Sequence, residues 1–237
     1  MLIRELKKMK NIIFVILISI LYTACDYEED VVTYKKWENG IIYYQYDNET
    51  SYWNDADKTI IEKCMRTWET ATDNIISFKP VIDTTKDYVY IKKSEYNRAT
   101  VGAKIKSNLE LHSIYDNPMA TETLLHELGH VIGLIHEHQR IDRNDYINVY
   151  YENIDKTLSD DEISNNFTIN KNYNLINFIN IDYDYNSVMH YNSNIFANVT
   201  NLEIKPVLTK KDNSLINLYP RIITTNDILK VYYIYSL

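Results

Sequence analysis

Four glycines, four prolines and two cysteines are all that the 237 residues contain of the usual backbone punctuation and cross-linking groups. Two cysteines exclude a disulfide-dense scaffold, so a chain of this length has to hold itself together with an apolar core. No Pro/Gly/Ser-rich linker and no internal repeat divide it, which points to one large domain or two small lobes. With so few glycines, Gly40, Gly102, Gly129 and Gly133 are each expected to answer a backbone need. A basic surplus is missing too: the formal net charge is −8. An acidic surface argues against nucleic acid and against anionic membrane as partners.

Long apolar runs are absent except near the start. Arg4, Lys7, Lys8 and Lys10 precede the apolar stretch Ile12 to Leu21, and Leu21-Tyr22-Thr23-Ala24-Cys25 closes it. The run is too short for an ordinary membrane span and reads as a secretory signal peptide over residues 1–25, with Met9 as an alternative start. A small residue before Cys25 resembles a bacterial lipobox, departing from it in Tyr22, where leucine is usual. The expectation is a secreted or cell-surface, outer-membrane-anchored bacterial lipoprotein with lipid on Cys25. Residues 26–36 then form a polar tether, and the membrane is met only through that anchor. Loss of four basic residues and Glu5 with the signal takes the charge from −8 to −11. With Cys25 lipidated, Cys64 has no disulfide partner; it shares a helical stripe with Ile60, Ile61, Met65 and Trp68 and is expected to be a small buried apolar group.

The segment His126-Glu127-Leu128-Gly129-His130-Val131-Ile132-Gly133-Leu134-Ile135-His136-Glu137 carries the chemistry. On a helix, His126 and His130 lie one turn apart on one face and reach one metal ion. Glu127 projects beside them, where a reacting water would sit. His136 is too far along the axis to join them unless the helix ends first. Gly133 tolerates φ > 0, so the chain can turn there and return His136 to the metal. A bare His-Glu-x-x-His also arises in ordinary helices. Five fixed positions out of eleven separate this segment from chance, and three His ligands with an open position indicate a catalytic zinc.

Around this motif, Ile41 to Tyr46 reads as a strand, and Asn54 to about Thr70 as an amphipathic helix capped by Asn54 or Asp55. Ile75 to Phe78 and Tyr88 to Ile91 read as strands, and Asn108 to Leu111 as an exposed one. Asn117-Pro118 supplies N-cap and N1 of the metal helix. Residues 137–223 lack sustained periodicity and predict an irregular region. Thr224 and Asp227 have capping-box spacing and open a last helix, Ile228 to Tyr235. Three Asn-x-Thr sequons, at Asn48, Asn166 and Asn198, are expected by accident in so asparagine-rich a chain.

Some fifty residues past the metal motif comes Ser187-Val188-Met189-His190-Tyr191. With His136-Glu137-His138-Gln139-Arg140-Ile141-Asp142-Arg143-Asn144-Asp145-Tyr146 and Glu152-Asn153-Ile154, the chain resembles the astacin family of metzincin metalloendopeptidases. The resemblance runs from Trp37 and Gly40-Ile41 to Asp227-Ile228-Leu229-Lys230, about 200 residues. It implies an α+β zincin fold of two lobes. The upper lobe, 37–136, would hold a twisted mixed sheet and two helices, including the zinc helix. The lower lobe, 137–237, would be irregular, with a Met-turn and a C-terminal helix.

The resemblance also implies one zinc ion on His126, His130 and His136, Tyr191 as a fifth ligand able to swing away, Glu127 as the base, and Met189 as an apolar floor. His190 would order the turn, while His138 and His112 would sit at the surface or in satisfied polar contacts. The substrate would be an extended protein or peptide pairing with a sheet edge, for which Asn108 to Leu111 is the expected strand. Lys205 is the expected basic group for an acidic residue after the scissile bond. A monomer is expected. Animal members carry two disulfides, which this chain lacks. In members with a propeptide, the freed N-terminus packs near the glutamate after the third histidine, here Glu137. About eleven residues between Cys25 and Trp37 are short for a prosegment, so either further processing occurs near Val31 to Tyr34 or Glu137 takes another donor. The rival reading is a catalytically silent zinc-containing surface binding protein, against which the intact Glu127 and Tyr191 argue. A different metzincin branch is a third reading, weakened by Glu137 and the run from Ser187 to Tyr191.

Overall fold

The computed structural model describes residues 35–48, 53–82, 86–112, 114, 117–170, 180–200, 203–216 and 221–236. The expected signal peptide, Cys25 and most of the tether lie outside them. Among the described residues, no helix is long and apolar enough to cross a membrane.

The first half builds one sheet and two helices. Strands β1 (Ile41–Tyr46), β2 (Ser77–Pro80), β3 (Val89–Lys93), β4 (Arg98–Ala99) and β5 (Ser107–Leu111) lie in the order β2-β1-β3-β5-β4. All pairs are parallel except β4 with β5. Between β1 and β2 runs helix α1 (Asp55–Ala71), whose N-cap Asn54 accepts from the Asp57 N–H at 2.7 Å. Ile61, Cys64, Met65 and Trp68 fall on one face and are buried, so Cys64 plays the apolar part expected of it. That face meets helix α2 (Pro118–Ile132), where Trp68 Nε1 donates to the Leu125 carbonyl at 3.0 Å. Ile42, Val89, Ile91, Leu109 and Leu111 project from the sheet into the same cluster, beside Leu128 and Ile132. Each such side chain taken fully out of water contributes about 1.5–3 kcal/mol.

Two expectations shift. The second strand begins two residues later than its apolar run, because Asp73 and Asn74 adopt φ of 49° and 61° and spend Ile75 and Ile76 in the exit from α1. Asn108 to Leu111 is neither exposed nor an edge. β5 lies between β3 and β4, and Leu109, Glu110 and Leu111 are buried. The polar position that looked outward, Glu110, is covered by Arg98 at 2.7 Å, Lys92 at 3.0 Å and the Ser94 hydroxyl at 3.1 Å. The sheet ends on β4.

Beyond Glu137 the pieces are short: β6 (Ile147–Val149), helix α3 (Asp160–Phe167), β7 (Val199–Thr200), β8 (Glu203–Ile204) and β9 (Leu208–Lys210), with β6 pairing β9 and β7 pairing β8. Phe167, Ile147, Ile154, Val207 and Leu208 form a second apolar cluster. Helix α4 (Thr225–Tyr235) closes the chain with the expected capping box between Thr224 and Asp227. Among the described residues of 137–223, the irregular character expected is observed apart from α3 and the short strands β6 to β9. The signal for α3 was present, since Ser159 and Glu162 form a reciprocal capping box.

Candidate metal centre

Helix α2 starts as its sequence predicts. Asn117 accepts from the Ala120 N–H at 2.9 Å, and Pro118 fills the first turn, where its missing N–H is not needed. It stops at Gly133, whose φ of 122° is closed to side chains bearing a Cβ, and the Gly133 and Leu134 N–H groups fold back onto the last carbonyls. Within the helix Gly129 answers a different need. A Cβ there would stand 2.4 Å from Met189 Sδ, so glycine makes room for the thioether against the helix.

The return of the chain brings the three imidazoles together. His136 Nε2 lies 3.2 Å from His126 Nε2 and 3.1 Å from His130 Nε2. The opposite nitrogen of each ring is already used. His126 Nδ1 faces the Val188 carbonyl at 2.7 Å, and His130 Nδ1 faces the Leu134 carbonyl at 2.8 Å. His136 Nδ1 faces Gln139 Oε1 at 2.9 Å, with the Gln139 amide oriented by donation to the Asn165 and Thr168 carbonyls. A carbonyl oxygen can only accept, so each Nδ1 carries the proton and each Nε2 presents a lone pair. Three lone pairs converging on one point repel unless a cation lies between them. Tetrahedral zinc with Zn–N of about 2.0–2.1 Å requires N···N separations of about 3.3 Å, close to those observed. Burial, with repulsion from its neighbour His130, pulls His126 down to about 3, and burial pulls His130 down to about 4, so both are neutral ligands at neutral pH.

Glu127 stands beside this trio, buried, with Oε2 lacking any hydrogen-bond partner. Desolvation pushes its pKa up to about 8. An orphaned carboxylate oxygen next to three converging lone pairs is the donor set of a metal ion plus a reacting water, so the residues fit zinc.

Tyr191 joins the group. Its ring lies 4.4 Å from that of His136 and stacks on His138 at 4.3 Å, and its hydroxyl donates to Asn166 Oδ1 at 3.0 Å. Asn166, Gln139 and the end of α3 were not singled out as site residues, because Asn166 meets Tyr191 only across 25 residues of chain and no local pattern marks the contact of Gln139 with His136. His138 is fully buried rather than superficial; its Nε2 donates to the Asn166 carbonyl at 2.7 Å, while Nδ1 has no partner. His112 is exposed, as expected. His190 is buried and ties the turn, facing the Tyr183 hydroxyl at 2.7 Å and the Tyr191 carbonyl at 2.6 Å.

Lys205 is exposed just past β8. The buried cation beside the ligands is Arg221, which binds Glu122, one turn ahead of His126 on α2, through Nη1 at 3.5 Å and its own N–H at 2.9 Å. Its Nε and Nη2 are buried without partners. Glu137 takes another donor, the alternative left open by the sequence. Oε2 pairs with Lys230, and Oε1 accepts from Arg140 Nη1 at 3.1 Å and the Asp184 N–H at 2.9 Å.

The model of the astacin peptidase family matches residues 30–236. The chain is 31% identical over 205 residues to zinc metalloproteinase nas-8 of Steinernema carpocapsae, covering 85% of this chain and 45% of that protein. It is 30% identical over 163 residues to zinc metalloproteinase nas-8 of Caenorhabditis elegans, covering 69% and 37%. It thus spans less than half the length of these relatives. Among solved structures it is similar to high choriolytic enzyme 1, a hatching enzyme zinc-protease of the medaka fish Oryzias latipes, with a TM-score of 0.68 and 24% identity over 88% of this chain and 96% of that one. It is also similar to myroilysin, with a TM-score of 0.56 and 20% identity over 85% and 96%. These two establish the α+β fold. With a family model covering nearly all of its length, the chain belongs to the astacin family of peptidases.

Proposed function

We propose that this chain is a zinc-dependent endopeptidase acting on extended segments of protein or peptide. The observation that carries the reading is the trio of proton-free Nε2 atoms beside the unpartnered Glu127 oxygen. Bound zinc would supply a Lewis acid and lower the pKa of its water to about 7. Glu127, buried with one carboxylate oxygen unpartnered, takes the proton of the attacking water and later hands it to the leaving amine. Tyr191, by turning its hydroxyl from Asn166, donates to the carbonyl oxygen as negative charge develops there. Met189, under Gly129, serves as the apolar floor of the three rings. An extended substrate adds to the open side of β4, where the sheet ends. Arg221, with two buried donors unused, favours an acidic residue next to the scissile bond, the role the sequence had suggested for Lys205.

Cleavage of a peptide library tests the roles together. Glu127→Gln keeps zinc in a chelator titration and loses about 10²–10⁴-fold in kcat. Wild-type turnover in that variant would remove Glu127 from the mechanism. Arg221→Ala loses the acidic preference after the cut while still cleaving neutral peptides, and an unchanged profile would sink the assignment of Arg221.

A further inference from the structure

Helix α4 carries Asp227 and Lys230 three residues apart, hence on one face. Both are buried. The Asp227 carboxylate accepts from the Ser187 hydroxyl at 2.5 Å and the Val188 N–H at 3.1 Å. Lys230 pairs with Glu137 Oε2. Each of these partners is one step from a metal ligand. The Val188 carbonyl holds His126 Nδ1, and Glu137 directly follows His136 while its own N–H donates to the Met189 carbonyl at 3.0 Å. The two charges of α4 therefore grip, from one side, the turn that aims His126 and the loop that delivers His136.

The ion pair is not interchangeable with its surroundings. Arg140 is the other cation at Glu137, but it spends Nε and Nη2 on Asp142, at 2.9 and 2.8 Å, and reaches Glu137 with Nη1 alone. Lys230 is the cation turned on Glu137 without a competing carboxylate in the cluster. A lysine with 4% of its side chain exposed persists only when paired, and a carboxylate with 2% exposed needs its cation as much.

We propose that Lys230 is a positioning residue of the metal centre: its ammonium fixes Glu137, and with it the approach of His136, so the C-terminal helix sets the metal affinity of a loop 93 residues earlier in the chain. The inference rests on the three histidines holding one zinc ion and is independent of the reaction that follows.

Zinc affinity, measured by chelator competition on the full chain, is the readout. Lys230→Met weakens it about tenfold or more, the range seen when an outer partner of a metal ligand is removed. Lys230→Met combined with Glu137→Gln strands no charge and recovers affinity toward wild type. Ile61→Ala, which opens the apolar core at α1, serves as the control for lost Tm and leaves affinity unchanged. Wild-type affinity in Lys230→Met, or an equal loss in Ile61→Ala, overturns the proposal. Failure of the wild-type chain to bind zinc would instead overturn the metal reading itself. Should Lys230→Met not fold, linkage supplies a test on the wild-type chain. Zinc then slows acylation of Lys230, followed by mass spectrometry, relative to exposed Lys104. Equal rates with and without zinc overturn the proposal.

Discussion

The half of the molecule before Glu137 and the half after it are held by different forces. The first buries periodic apolar faces: Ile42, Ile91 and Leu109 from the sheet against Trp68 and Leu128 from the helices. The second has short elements and a smaller apolar cluster, and it alone buries cations as well as carboxylates among the described residues. Glu137, Arg140, Arg143, Asp227 and Lys230 are all nearly inaccessible to water. Arg143 bonds only to oxygens, among them the Phe167 carbonyl at 2.6 Å and the His138 carbonyl at 3.2 Å. Apolar contacts are forgiving and add up; buried polar contacts depend on every partner being in place. The metal centre sits where the two halves meet, with two ligands on a helix of the first and the third on a loop governed by the second.

The contrast can be broken from either side. Ile91→Ala, in the middle of the sheet, costs about 2–5 kcal/mol. Denaturant titration reads the loss, and hydrogen exchange rises across β1, β3 and β5 together. Asp227→Ala costs less, about 1.5–3 kcal/mol for hydrogen bonds made to a charged group. Its exchange changes stay near 184–191 and α4, and spread into the sheet would show that the halves are not separately held. Gly129→Ala forces a methyl against Met189 Sδ and costs about 1–3 kcal/mol as an overpacked core change. In a Met189→Ala background the same step costs measurably less, and strict additivity would mean that the thioether is not what requires glycine there.

The smallest effect lies at Glu110, a buried charge inside the apolar half. Burial raises its pKa, but hydrogen bonds from Arg98, Lys92 and Ser94 outweigh this and leave it below the ordinary carboxylate value. A depressed carboxylate stabilises the fold above its unfolded pKa, and that contribution disappears as pH falls through the folded value. Both cations are partly exposed, so about 1 kcal/mol is at stake. Glu110→Gln therefore flattens the acid limb of the stability curve while leaving neutral-pH stability lower by that amount. An unchanged acid limb would show the cluster to be inert.

What could be read from the chain follows the same division. β1, α1, α2 and the start of α4 were visible because caps and periodicity are local: Asn54, Asn117 and Thr224 each bond within three residues. The three ligands were visible because a metal imposes spacing on one short segment. β5 misled because the charge of Glu110 looked solvated, and its cover comes from residues 12 to 18 positions away. Asn166 holding Tyr191, Arg221 on Glu122 and Lys230 on Glu137 join residues 25, 99 and 93 apart, and no local pattern marks such pairs.

The Lys230–Glu137 contact also has a consequence in time. A ribosome delivers His126, His130 and His136 long before it delivers the helix that steadies them. A nascent or truncated chain lacking residues 225–235 would carry all three ligands yet grip zinc weakly. On that proposal the metal centre matures with α4 and not with the segment that carries its three histidines.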